Sequence, residues 1–391
     1  MSPSAALYLA SPGDAGPALA VLAGRPLAFR AVLAAIRAGC PRVYVPGLFR
    51  HGPFERAVAT SPAARAAVVW LEVGVAPPPG PLLLLPAAAL IPHDSLRALL
   101  VAPPTAVLAA SRDGGVPAVV VGAALGRALW PHIVAVRPLG DTLIRAVKDE
   151  PSPTVVDGGW CERVTSSRGR AEAEARLDAA LGSPTDTGLD LLLHRRLSRP
   201  LSRLAVRLDI APNQITLLSL VVGLAAAWCV WQAGPAWALA GLGLYALAVI
   251  LDHVDGEVAR LALTESSFGA KLDVAVDTLI HALLVIAMGV AAQRVAGGGA
   301  AFSGLVAALG MVVSALMTRT SLPATGGFGR ILNALSSRDG FYALLALFLV
   351  GLAALPPALP VLMLVAATGG HAYWLGRLLY RRRPNTERKP K

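Results

Sequence analysis

The sequence predicts an α-helical integral membrane domain of six transmembrane helices, preceded by an α/β domain in the cytosol. Three observations carry that expectation. Of 391 residues, 55% are hydrophobic and only 15% charged, which is too apolar for an ordinary soluble chain. The apolar excess is uneven: Pro, Gly, Ala and charge mix before about residue 189, whereas long apolar stretches follow Asn213. The arginines bracket those stretches and gather in the tail "RLLYRRRPNTERKPK".

The N-terminus, "MSPSAALYLASPGDAG", has no basic n-region and is interrupted by Pro and Gly, so it does not read as a secretory signal. Apolar runs such as "AALYLA", "RVYVPG", "AAVVWLEV", "PLLLLPAA", "AVLAA" and "AVVVGAAL" alternate with helical ones such as "PLAFRAVLAAIRAGC" and "SLRALLVA". Strands alternating with helices argue for a parallel α/β sheet. Cys40, Cys161 and Cys229 are far apart and lack metal-ligand spacing, so neither a disulfide framework nor a zinc site is expected. The formal charge of +11 does not point to nucleic acid, because the arginines flank apolar spans as they do beside anionic lipid.

Residues 189–208 repeat Leu with Arg at helical spacing, which predicts an amphipathic helix on the inner leaflet; packing on the N-terminal domain is the alternative. A membrane helix needs about 20 mostly apolar residues. Six candidates follow, at about 214–233, 236–262, 268–292, 300–319, 340–356 and 358–379. The loops after the first and fifth carry no Lys or Arg and that after the third only Arg294, whereas the opposite ends are rich in arginine. The positive-inside rule then puts both termini in the cytoplasm, at the cytoplasmic membrane.

Ionisable groups within spans are costly and mark function. Asp252 and Asp255 lie at i, i+3 near the end of the second span, and Asp273 and Asp277 at i, i+4 at the start of the third, each pair on one helix face. With only "TESS" between the spans, both pairs sit at one depth and can converge. Four close carboxylates repel each other, and one or two hard divalent cations would relieve that. A helix-locking network with Arg260, Lys271 and Arg319 is the structural alternative, but it leaves Gly256 and Gly269 beside the acids unexplained. A transporter or a scaffold with a cation-binding acidic cluster is the functional alternative. A transporter would place such acids near the bilayer centre within inverted repeats, and neither feature is present here.

The segment "DHVDGEVARLALTESSFGAKLDVAVD" resembles the signature of the CDP-alcohol phosphatidyltransferase family, DxxDGxxAR, eight residues, then GxxxDxxxD. Asp252, Asp255, Gly256, Ala259, Arg260, Gly269, Asp273 and Asp277 fill it without departure. "APNQIT", with Pro212, Asn213 and Thr216, is similar to that family's entry into its first span. The resemblance, from about residue 185 onward, implies an enzyme that transfers a phospho-alcohol from a CDP-linked donor to an alcohol or phospho-alcohol acceptor and releases CMP, on two Mg²⁺ or Mn²⁺ ions. It implies Asp252, Asp255 and Asp273 as metal ligands, and Asp277 as ligand of the second cation and general base. Pro212, Asn213, Thr216, Gly256, Ala259 and Gly269 would border the cytidine, and a homodimer is plausible by the same likeness. Arg260 is a candidate phosphate contact, and Arg319 and Arg338 are candidates for an anionic acceptor, with charge anchoring as the alternative for these two.

The stretches "LAGRPLAFRAVLAAIRAGCPRVYV" and "VVDGGWCERVTSSRGRAEAEARL" resemble parts of sugar-phosphate nucleotidyltransferases, hence a Rossmann-like domain, as in bifunctional enzymes that make and use CDP-inositol. The machinery is missing. "LASPGDAGPALAVLAGRPL" lacks the GxGxR loop and its Lys, and Ala87 and Ala88 stand where the metal-binding acid is expected, with Asp94 several residues late. The expected organisation is an inactive nucleotidyltransferase-like domain at 1–182, an interfacial helix and linker at 183–212, the membrane domain at 213–380 and a basic tail at 381–391.

Overall fold

The computed structural model describes residues 3–101, 107–108, 118–148, 155–156, 160–182, 186–317, 333 and 337–381. The chain divides into two compact units, Met1–Leu181 with Leu261–Leu263, and Gly182–Arg260 with Thr264–Lys391.

The apolar runs of the first unit become the strands β1 (Ser4–Tyr8), β2 (Val43–Pro46), β3 (Val68–Leu71), β4 (Leu82–Pro86), β5 (Val107–Leu108), β6 (Val119–Val121) and β7 (Val155–Val156). They form one sheet in the order β7-β5-β6-β4-β1-β2-β3. β4 is buried at every position, as a strand covered on both faces must be, and an unbroken leucine run satisfies that requirement. The sheet is mixed where a parallel one was expected. β1 runs parallel to β2 and β4, but β6 is antiparallel to both β4 and β5. The chain first reaches β5, two places from β4, and then turns back to fill the gap as β6. Helix α1 (Leu27–Ala38) is buried along most of its length and ends at Gly39, whose φ of 111° gives the left-handed C-terminal turn that glycine adopts without strain. Helices α2 (His93–Val101), α3 (Ala123–Val134) and α4 (Ser167–Ala179) complete the layers.

The second unit begins with a π-helical turn, Asp190–His194, continued by α5 (Arg195–Arg207). Then follow α6 (Pro212–Trp231), α7 (Pro235–Ala262), α8 (Ser267–Ala296), α9 (Ala300–Met317), α10 (Arg338–Ala354) and α11 (Leu359–Arg381). Among the described residues five helices are long and apolar enough to cross a membrane: α6 to α9 and the stretch Pro356–Gly376. The fifth expected span, 340–356, corresponds to α10. Its 17 residues reach about 25 Å at 1.5 Å per residue, short of a hydrocarbon core of about 30 Å.

The spans bury small residues against each other and turn leucines outward, which suits packing in lipid. A Cβ on Gly289 of α8 would lie 2.8 Å from Gly304 Cα of α9, and one on Gly304 would lie 2.9 Å from Gly289 Cα, so only hydrogen fits at this crossing. Helix α5 inverts the pattern of a soluble amphipathic helix. Arg195, Ser198, Ser202 and Ala205 are its buried residues, while Leu197, Leu201, Leu204 and Leu208 are exposed. Outward leucines interleaved with arginines fit a membrane interface.

Candidate active site

The acids of α7 and α8 meet because the turn between the helices is short and firmly capped. Leu263 takes a positive φ of 57°, the Thr264 N–H donates to Ala259 O at 2.9 Å, and Ser266 caps α8 by accepting from the Gly269 N–H at 2.9 Å. Asp252, Asp255 and Asp273 each offer a carboxylate oxygen within 4.8 Å of the others, in a group that can hold a metal ion. At that separation each like-charged pair costs about 3 kcal/mol even at an effective dielectric of about 20. Three hard oxygen donors suit Mg²⁺ or Mn²⁺.

Asp277 lies one turn beyond Asp273 and outside that group of three. Its side chain is 41% exposed, with Oδ1 3.4 Å from His281 Nδ1. His281 Nδ1 lies 2.7 Å from the Asp277 carbonyl oxygen, which only accepts, so the ring proton sits on Nδ1; Nε2 then accepts from the Tyr245 hydroxyl at 2.8 Å.

The entry to α6 reaches the same place. Pro212 occupies the first turn, where its missing N–H costs nothing, and Gln214 Oε1 accepts from the Ala211 N–H at 3.0 Å. That start aims Thr216 inward, and its hydroxyl donates to Asp255 Oδ2 at 2.5 Å. Asp255 is 4% exposed. A Cβ on Gly269 would press on Ser266 Oγ at 3.1 Å and on Asn213 Oδ1 at 3.2 Å, so the starts of α6 and α8 close on each other across this glycine. A Cβ on Gly256 would meet Arg260 Nη1 at 3.3 Å, so the backbone beside Asp255 is overlain by that guanidinium. Ala259 and Arg260 are half-buried on the following turn.

Arg338, at the start of α10, meets the acids directly. Its Nη2 donates to Asp252 Oδ2 at 2.8 Å, while Nη1 lies 3.5 Å from Asp190 Oδ1 and 3.2 Å from His253 Nδ1. Ser337 fixes it there by capping α10 through the Gly340 N–H at 3.2 Å. Arg319 lies outside the described residues.

Behind Arg338 stands a buried group that sequence reasoning missed. Asp190 Oδ1 accepts from His194 Nδ1 at 2.9 Å and from His253 Nε2 at 2.8 Å, and Oδ2 accepts from the Thr187 N–H at 2.8 Å. Burial alone would raise the Asp190 carboxyl, but His194, His253, Thr187 and Arg338 together hold it well below the usual carboxylate range. Glu257, fully buried inside the signature, accepts from Arg195 Nη1 and Ser198 Oγ at 2.7 Å and from Ser202 Oγ at 2.6 Å, which binds α5 to α7. The available signals were Asp190 and His194 at i, i+4 and the polar residues His253 and Glu257 within a span.

In the first unit the loop after β1 folds around a carboxylate of its own. Asp14, 1% exposed, accepts from the Ala10 and Ser11 N–H groups at 3.1 and 3.2 Å and pairs with Arg163. Ala87 and Ala88 are fully buried in the core, whereas the Asp94 side chain is 75% exposed beside Arg97.

Residues 209–374 match the family model described as CDP-alcohol phosphatidyltransferase. The chain is 33% identical over 130 residues to the bifunctional IPC transferase and DIPP synthase of Thermococcus kodakarensis, a match that covers 33% of this chain and 29% of that protein. It is 42% identical over 82 residues to the CDP-diacylglycerol–serine O-phosphatidyltransferase of Mycobacterium leprae, covering 21% and 26%. It is 34% identical over 86 residues to the phosphatidylinositol phosphate synthase of Corynebacterium glutamicum, covering 22% and 38%. The matched part thus spans well under half the length of these relatives. Three carboxylates gathered from two adjoining helices thus lie inside the segment, residues 209–374, that matches the CDP-alcohol phosphatidyltransferase model.

Proposed function

We propose that the protein transfers a phospho-alcohol from a CDP-linked donor to the hydroxyl of an alcohol acceptor and releases CMP, at the inner face of the cytoplasmic membrane with both termini in the cytoplasm. The observation that carries this reading is the convergence of Asp252, Asp255 and Asp273, with Thr216 of the preceding helix bonded to Asp255. Two bound Mg²⁺ or Mn²⁺ ions would supply the Lewis acidity that polarises the diphosphate and offsets its charge. The three aspartates hold that charge in place, and the Thr216 hydroxyl keeps Asp255 turned toward its neighbours. Asp277, whose side chain is 41% exposed, takes the proton from the acceptor hydroxyl as its oxygen bonds to phosphorus and the bond to CMP breaks. Pro212, Asn213, Thr216, Gly256, Ala259 and Gly269 border the cytidine, and Arg260 and Arg338 face the phosphates and an anionic acceptor.

The donor is CDP-diacylglycerol or CDP-inositol, and the likeness to the Thermococcus protein favours the latter. The product is then an inositol phosphodiester rather than a phospholipid. The first unit serves as an inactive nucleotidyltransferase-like domain, because the loop that would receive a triphosphate is filled by the Asp14 carboxylate and its partners. A homodimer is the assembly the family likeness favours. The test is CMP release by purified full-length protein with Mg²⁺, Mn²⁺ or EDTA, over both donors and a panel of alcohols. Release that needs the cation and is lost in Asp255→Asn is expected. No release from either donor with any alcohol would refute the assignment.

A further inference from the structure

At the ends of α6 and α8 remote from the acids, a cleft of ≈ 430 Å³ opens between the two helices, lined by Leu224, Trp228, Trp231, Leu283, Ile286 and Arg294 among others. Its wall is apolar, and Trp228 and Trp231 are 56% and 40% exposed, as aromatic residues are where a span meets the membrane interface. Arg294 sits at the mouth. Its guanidinium stacks 4.9 Å from the Trp231 ring centre and gives Nη1 to Trp231 O at 2.8 Å, on a residue that is exposed. Among the described residues no carboxylate pairs with it. Asp277, the nearest acid before it in sequence, is 17 residues away, about 25 Å along the helix. Residues 232–235, 294–300 and 355–358, which make this end of the spans, contain no Asp or Glu and no cation other than Arg294. A lone arginine here runs against the charge bias that orients the chain.

We propose that this cleft binds an anionic phospholipid, with an acyl chain along Leu224, Leu283 and Ile286 and its headgroup phosphate on Arg294. The occupant of a cleft in the flank of two membrane helices must be apolar for most of its length, and Arg294 requires an anion at the polar end. A second copy of the chain does not supply that anion, since this end of the spans carries no acid. The site rests on the membrane-spanning character of α6 and α8 and not on the chemistry of the acidic group.

The test incubates the purified full-length protein with dioleoyl phosphatidylglycerol or dioleoyl phosphatidylcholine and counts retained lipid by native mass spectrometry. Wild type is expected to prefer the anionic lipid about tenfold, the worth of one charge-assisted contact. Arg294→Gln loses the preference at an unchanged melting temperature, Arg294→Lys keeps most of it, and Leu224→Trp lowers retention of both lipids by filling the cleft. Asp255→Asn keeps the preference, which separates this site from donor binding at the acidic end. Equal retention of the two lipids by wild type, an undiminished preference in Arg294→Gln, or disulfide-linked dimers of Leu224→Cys would each overturn the proposal.

Discussion

Buried carboxylates serve opposite ends in the two units. Asp14 is surrounded by what it needs: two backbone N–H groups, the Ser11 hydroxyl at 2.7 Å and the Arg163 guanidinium. Its charge is satisfied from within, and the loop that holds it has no charge left to offer a ligand. Asp252, Asp255 and Asp273 are pressed against one another instead, with one guanidinium, Arg338, on one oxygen of the first. One cation does not compensate three anions. The difference teaches that a carboxylate points to a ligand when the fold supplies fewer partners than its charge demands.

That contrast can be broken by exchanging acid for amide in each place. Asp255→Asn or Asp273→Asn is expected to lower CMP release at least about a hundredfold, because each removes charge that the reaction requires, and release assays with purified variants check it. Asp14→Asn should leave the rate intact and cost about 3 kcal/mol of local stability, seen as lost amide protection over residues 4–22 in hydrogen exchange. A rate loss in Asp14→Asn comparable to that in Asp255→Asn would erase the distinction.

Glu257 sharpens the comparison, since it lies within the signature yet is satisfied like Asp14. Glu257→Ala leaves Arg195 with Asp186 as its remaining carboxylate and takes the acceptor from the buried Ser198 and Ser202 hydroxyls, which should cost about 3 kcal/mol, whereas Ser198→Ala removes one of three donors and should cost about 1 kcal/mol; melting in detergent reads both. The smallest effect concerns the thiols of the α/β unit. Burial pushes Cys40 and Cys161 up to about 12 each. Both stay protonated in the folded chain at pH 8, so iodoacetamide should label them only after denaturation. A raised folded value means that stability is complete below the ordinary thiol value of about 8.5 and declines as pH rises from there toward 12.

What was legible in the sequence was what local spacing determines. The four aspartates follow from two intervals on two helices, the strands from apolar runs between turn residues, and the spans from hydropathy. What escaped depends on partners far away in the chain. Arg338 meets Asp252 across 86 positions and His253 meets Asp190 across 63, and no periodicity encodes such pairs. The antiparallel β6 escaped for the same reason, since its direction is decided by the gap left between β4 and β5. The fifth span was expected at 340–356, whereas α10 begins at Arg338, so its first turn takes in a guanidinium that serves the acids rather than the membrane. Asp277 was expected with the other three acids, and the structure sets it apart from them with its carboxylate near His281.

The central claim, that three aspartates from two helices hold a divalent cation, is tested most directly by Mn²⁺ binding to the purified full-length protein, followed by electron paramagnetic resonance. Stoichiometric binding in wild type that is lost in Asp255→Asn and in Asp273→Asn, with Asp14→Asn unaffected, is the predicted result. Binding that persists undiminished when Asp252, Asp255 and Asp273 are all replaced by Asn would contradict it.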